Sequence, residues 1–226
     1  FMNIKGEIQW LILLSVLGFI FYSNTLSGEF VYDDNRQIVR NPLIQDISLA
    51  GTALTSDVWA FKGDGTETAS NYWRPTFTAF QIVNYRLFGL SPFGWHLFNV
   101  LLHIGVCLLA FLLLRRWNFS ALISFAITLI FAVHPVHVES VAWVSGSPDL
   151  LFGIFFLGSL WFTQNFLDKK SAADANTNAT LDLILAIVFY VFALGSKEVA
   201  LLCVPVYLLM FSGNSDQSGN YKTSII

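Results

Sequence analysis

Charge is what this sequence has least of. Only 12% of its 226 residues are Asp, Glu, Lys or Arg, against about 25% in an average soluble domain. The formal net charge is -3, so no basic surface is available and nucleic acid is excluded as a partner. Cysteine is nearly absent. Cys107 and Cys203 both lie inside apolar runs, which reads as two buried thiols and excludes a disulfide framework. No small-residue cleavage site follows the first apolar run, so that run reads as a retained helix rather than a shed signal peptide. No internal repeat is visible, which removes solenoids and arrays.

What fills the space is apolar. Hydrophobic residues make up 55% of the chain and 22 are Phe, and the mean hydropathy is +0.61. The fold class this implies is an all-α integral membrane protein. A spanning helix needs about 20 apolar residues, and six stretches are candidates: 8–22, 95–114, 119–133, 150–167, 181–194 and 199–211. Several are short and must be completed by flanking small or aromatic residues.

Lysine and arginine in short loops set orientation. Arg115-Arg116 separates the second and third stretches, and Lys169-Lys170 the fourth and fifth. If the spans alternate, both loops and Lys5 share one side, the expected cytoplasmic one. Loop 23–94 and the turns 134–149 and 195–198 then lie outside. Two sequons, Asn118-Phe119-Ser120 and Asn178-Ala179-Thr180, fall on the inner side and are expected to carry no glycan. The outer loop is too long for a plain connector. It predicts short helices over 38–48 and 53–59, a flexible tip at Gly63-Asp64-Gly65-Thr66, and a helix over 76–88 whose Phe77, Phe80, Val83 and Leu87 form an apolar face suited to the membrane surface. Residues 168–180 predict a mobile inner loop.

Against this apolar background a few polar clusters stand out, because ionisable groups beside membrane spans need a reason. Asp33-Asp34 suits general-base work, a divalent cation, or simply a solvated loop with a helix cap. His134-Pro135-Val136-His137-Val138-Glu139 ends a span where Pro135 must break the helix; metal ligation, polar substrate contact and interfacial capping all fit. His96, Asn99 and His103 fall at i, i+3 and i+7 on one stripe, facing either a wet cavity or neighbouring helices. Lys197 and Arg74 are natural phosphate contacts or snorkelling side chains. Glu198, adjacent to Lys197, cannot share its helix face.

Taken together these strings resemble a known family. The carriers are Phe30-Val31-Tyr32-Asp33-Asp34, Asn41-Pro42, Trp73-Arg74-Pro75, Gly89-Leu90-Ser91-Pro92, His96-Leu97-Phe98-Asn99, His103, the run from His134 to Ala142, and Ser196-Lys197-Glu198. They resemble, over residues 26–205, the GT-C-type glycosyltransferases that use polyprenyl- or dolichyl-phosphate sugars, above all the tetratricopeptide-containing transmembrane O-mannosyltransferases and their bacterial relatives. One departure is the turn Gly146-Ser147-Pro148-Asp149, where the family pattern has a basic residue.

The resemblance implies a GT-C-like helical bundle and an incomplete, amino-terminal part of an enzyme. It implies a lipid-linked sugar donor lying among membrane lipids, a protein or glycan acceptor, and transfer with inversion. The base would be Asp33 or Asp34. Arg74 and Lys197 would face the leaving phosphate, while His96, His103, His134, His137, Glu139 and Glu198 complete the substrate-binding set. A divalent cation on Asp33, Asp34, His134 and His137 stays open. The competing readings are a multi-pass transporter and a non-catalytic assembly subunit.

Overall fold

The computed structural model describes residues 6–62, 72–171 and 178–220, the side chains of 213–220 excepted. Helix α1 (Ile8–Tyr22) occupies the first apolar stretch and runs on as a tighter turn to Ser27, giving 20 residues, about 30 Å at 1.5 Å per residue. Only Leu14, Gly18 and Tyr22 of α1 are buried, a single i, i+4, i+8 stripe. Ile12, Val16 and Ile20 face outward, as a helix does when lipid covers its other sides.

The long loop folds into short helices. Asn35–Val39 is a π-helical turn. α2 (Pro42–Gln45) starts at Pro42, with Asn41 accepting from the Leu43 amide. Asp46 caps the turn Ile47–Leu49, which leads into α3 (Ala50–Thr55). The two helices expected at 38–48 and 53–59 are thus broken into smaller pieces. Within 38–48 the breaks fall at Asn41 and Asp46, whose side chains compete for backbone amides, and the second helix starts early and ends at Thr55. α4 (Pro75–Phe88) begins at a proline and ends at Gly89, whose φ of 57° suits glycine. Phe77 packs inward while Val83 and Leu87 stay exposed, so half of the expected apolar face serves the loop's own packing. The loop has its own core of Ile38, Ile44, Ala53 and Ile82, closed by Trp95 and Val144 from the bundle. Burial of each such side chain contributes roughly 1.5–3 kcal/mol, enough to hold the loop as a cap on the bundle.

The bundle itself follows. α5 (Pro92–Arg116) carries its two arginines in the last turn, where they suit the helix dipole. α6 (Ala121–Val133) is capped by Ser120 and stops at His134, ahead of Pro135. A turn, Pro135–His137, then α7 (Val138–Ala142) continue at a 50° bend. The turn Val144–Gly146 leads into α8 (Ser147–Ser171), which packs most extensively against α9 (Ala179–Ser196). Lys197 is extended at φ -155°. The turn Glu198–Cys203 then feeds α10 (Val204–Asn220).

The chain is therefore an all-α, multi-pass membrane protein. Among the described residues four helices are long and apolar enough to cross a bilayer, five if the bent α6–α7 pair counts as one span. The expected sixth span is a shorter apolar helix, Glu198–Ser212. The tip at 63–66 and residues 172–177 of the expected inner loop lie outside the described residues. Its flanks extend α8 to Ser171 and start α9 at Ala179.

The two ends of the bundle differ. At one end Glu7 pairs with Arg115, Arg116 with Asp168, and Lys169 with Asp182. At the other lie Asp34, Arg74, Asp149, Lys197 and Glu198. The turn before α8 is tightly seated: a Cβ on Gly146 would lie 2.6 Å from the Glu139 carbonyl oxygen, a backbone atom that cannot rotate away. Gly146→Ala is expected to destabilise the protein by about 1–3 kcal/mol, read as thermal unfolding in detergent. Gly51→Ala, where a Cβ meets open space, should cause no loss, or a gain of under about 1 kcal/mol.

Candidate functional site at one end of the bundle

The two adjacent aspartates do opposite things. Asp34 is fully buried. Its Oδ2 accepts from the Val31 amide at 3.1 Å, and its Oδ1 accepts from the Ser145 amide at 2.8 Å and from the Ser145 hydroxyl. This clasp joins residues 111 apart in sequence. Asp33 lies next to it, half-buried. Its carbonyl accepts from the amides of Arg36 and Gln37, which fixes its backbone, while its carboxylate has no hydrogen bond or ion pair among the described residues. Tyr32, inside the same turn, has φ 48° and is 85% exposed. A tyrosine in that region of φ is strained and persists only when its surroundings hold it there.

The donor side of the clasp is held from behind. Asn99 Nδ2 donates to the carbonyls of Val141 and Trp143, which flank the turn that bears Ser145. His96 is buried with neither ring nitrogen in a hydrogen bond. The backbones of Glu29 and Ala142 lie close enough to act on its ring, though outside hydrogen-bond geometry, and a Cβ on Gly28 would lie 3.0 Å from its Nε2. His103 is buried too, with Nε2 2.9 Å from the Ala132 carbonyl. His96 and His103 are thus enclosed, and contact with a substrate would require them to be uncovered.

The remaining candidates line the surface. Arg74 forks onto Glu198 with bonds of 3.0 and 2.7 Å, tying the start of α4 to the turn after α9. Lys197 pairs with Asp149 at 2.5 Å, and Asp149 also acts on His137. His134 is exposed, and its Nδ1 accepts from the Val136 amide. The His137 ring packs against Phe131 at 4.2 Å and His103 at 5.6 Å. Glu139 is exposed without a side-chain partner among the described residues. Asp34 thus meets Ser145 just before α8, whose first turn carries Asp149 to Lys197.

Two members were not expected from sequence. Ser145 carries no local signal, because its partner is 111 residues away. Asp149 opposes Lys197, so the cation in this neighbourhood comes from residue 197 rather than from the turn before Asp149. Among the described residues no three His, Cys, Asp or Glu gather as a metal site. The oxygens of Asp34 are already engaged by Val31 and Ser145.

Fold and site together define a multi-pass membrane protein with two adjacent carboxylates, imidazoles and paired ions at one end. Comparison with known proteins narrows this. Protein O-mannosyl-transferase Tmtc1 of Drosophila melanogaster is 33% identical over 192 residues, covering 83% of this chain and 21% of that protein. Protein O-mannosyl-transferase TMTC4 of Mus musculus is 33% identical over 205 residues, covering 83% and 27%. Protein O-mannosyl-transferase tmtc2 of Xenopus laevis is 36% identical over 149 residues, covering 66% and 18%. The chain spans about a fifth to a quarter of the length of these relatives. No family model matches, and no solved structure matches. Over the region it spans, the chain is a homologue of the protein O-mannosyl-transferases.

Burial raises the pKa of Asp34 above the ordinary 3.8, against the lowering effects of the Ser145 and Val31 hydrogen bonds and of His96. A raised carboxyl pKa favours the folded state in acid, and that contribution is lost as pH rises through the folded value. The stability of the wild type relative to Asp34→Asn should therefore increase as pH falls from above the raised value towards 3.8 and level off below it. His96 and Glu29 are the neighbouring titratable groups, and both variants retain them. Unfolding in detergent across this range measures the difference; a relative stability that falls with acid would contradict the burial account.

Proposed function

We propose that the full-length protein is a membrane glycosyltransferase that moves a sugar from a polyprenyl- or dolichyl-phosphate donor to a protein hydroxyl. Its relatives, the protein O-mannosyl-transferases, point to mannose as the sugar. The observation that carries the reading is the half-exposed, unpartnered Asp33 carboxylate beside a rigidly held Asp34. A general base needs a free carboxylate in a fixed place, and Asp33 has both properties.

In this reading the acceptor hydroxyl gives its proton to the Asp33 carboxylate. Its oxygen forms a bond to the anomeric carbon from the face opposite the donor oxygen. The bond to the phosphate oxygen breaks, the lipid phosphate leaves with the electron pair, and the anomeric centre is inverted. Arg74 and Lys197 are the cations that would oppose the developing negative charge, each turning from its present carboxylate partner. His134, His137 and Glu139 line the approach of the sugar or acceptor. The bundle end that holds Arg115, Arg116 and Lys169 would be cytoplasmic, which puts the chemistry on the opposite face.

The 50° bend between α6 and α7 also suits a transporter, whose sites lie at broken helices. Solute flux through reconstituted vesicles, with no sugar transfer, would favour that reading.

Asp33→Asn in the full-length protein is expected to lower transfer from dolichyl-phosphate mannose by about 10²–10⁴, with folding and the donor KM little changed. Wild-type turnover in this variant would remove the base. A single cysteine at the exposed position Val136 should react with an impermeant reagent added from the non-cytoplasmic side, and one at the exposed position Trp117 should not. The reverse pattern would overturn the sidedness.

A further inference from the structure

We infer that Ser145 is a positioning residue for the reaction: it orients the Asp33 base through Asp34, from a turn that α5 holds in place. This rests on the reading of Asp33 as the base.

Four observations converge. First, Asp34 spends both carboxylate oxygens on backbone and hydroxyl donors, one from its own turn and the others from Ser145. It has no free oxygen for a substrate. Second, the Asp34 amide donates to the Val31 carbonyl at 3.0 Å while its side chain accepts from the Val31 amide. The four-residue turn 31–34 is thus closed twice through one residue. Third, Asp33 sits within that turn, beside a strained Tyr32. Without the clasp, Tyr32 would relax to an ordinary φ and Asp33 would swing with it. Fourth, Ser145 is itself fixed. The Gly146 amide donates to the Trp143 carbonyl, and Ser147 Oγ donates to the Val144 carbonyl. Asn99 grips Val141 and Trp143 from α5.

The direction of control follows from what is rigid. Asn99 is fully buried in a 25-residue helix, whereas Asp33 lies in the irregular loop. Position is passed from helix to turn, from turn to Asp34, and from Asp34 to its neighbour. Catalysis depends on such placement: a displacement of about 1 Å can lower a rate by about 10²-fold. The Ser145 hydroxyl is the part of this path that a substitution can delete while leaving the Ser145 amide bond in place.

The test uses the full-length protein, dolichyl-phosphate mannose as donor and a threonine-containing acceptor peptide. Ser145→Ala is expected to lower kcat roughly ten- to hundredfold with the donor KM within twofold of wild type. Ser145→Thr, which keeps the hydroxyl, should recover most of that loss. A general loosening of the fold would instead raise KM and lower kcat together, with no rescue by threonine. If Ser145→Ala does not accumulate as folded protein, Ser145→Cys carries the test. It is of similar volume and a weak donor, and kcat should fall below that of the threonine variant at unchanged KM. Wild-type kcat in the alanine or cysteine variant would overturn the inference. Asp33→Asn assayed in parallel separates the two ideas. An inactive Asp33→Asn beside a fully active Ser145→Ala would refute only the positioning role, whereas an active Asp33→Asn would refute the base reading on which it rests.

Discussion

One buried carboxylate, Asp34, ties the long loop to the bundle, and the arrangement of the site depends on it. An isolated charge at that depth is unfavourable by several kcal/mol. It persists because three donors converge on it, from Val31 and from both the amide and the hydroxyl of Ser145. A hydrogen bond to a charged group contributes about 1.5–3 kcal/mol, so three of them offset a desolvation penalty of that size. The clasp therefore adds little net stability. What it adds is register: it decides which residue of the long loop meets which residue of the turn before α8. The apolar packing of Ile38, Ile44, Trp95 and Val144 beside it supplies the burial energy, which is non-directional and could tolerate a slip.

The rest of the molecule separates polar work from apolar support. The flanks of α1, α6 and α9 expose Ile, Leu, Val and Phe and need only a hydrophobic surrounding. Ion pairs collect at the two ends. At one end they join the start of α1 to α5, α5 to α8, and α8 to α9. At the other, Arg74–Glu198 and Lys197–Asp149 draw α4, α8 and the segment after α9 together. Lys197 and Glu198 are neighbours in sequence that face different partners, as adjacent residues in an irregular segment can. Arg74 and Lys197 are thus kept neutralised and in place by carboxylates that water can reach.

Much of the architecture was legible in the sequence, because membrane spans announce themselves by length and hydropathy. The first helix coincides with its expected limits of Ile8 and Tyr22. The second gains Pro92 and the two arginines at its ends, since capping rather than hydropathy sets those limits. The expectation failed where helices are short. The stretch at 199–211 opens with a six-residue tight turn, and the helix expected over 38–48 breaks at Asn41 and Asp46, where side-chain caps override propensity. The aspartate pair was legible as a place of interest, but the division of labour within it was not. That division comes from Ser145, and contacts across 111 residues leave no trace in spacing. The stripe His96, Asn99 and His103 was legible as a face, yet its role as a buried brace could be read only from what it touches.

If Asp34 holds while Asp33 reacts, the two carboxylates must differ in chemical accessibility. The full-length protein in detergent can be treated with a water-soluble carbodiimide and an amine, and the modified carboxylates mapped by fragmentation mass spectrometry. The account predicts modification at Asp33, with the exposed Glu139 as an internal standard, and protection at Asp34. Modification of Asp34 at a rate equal to that of Asp33 would contradict it.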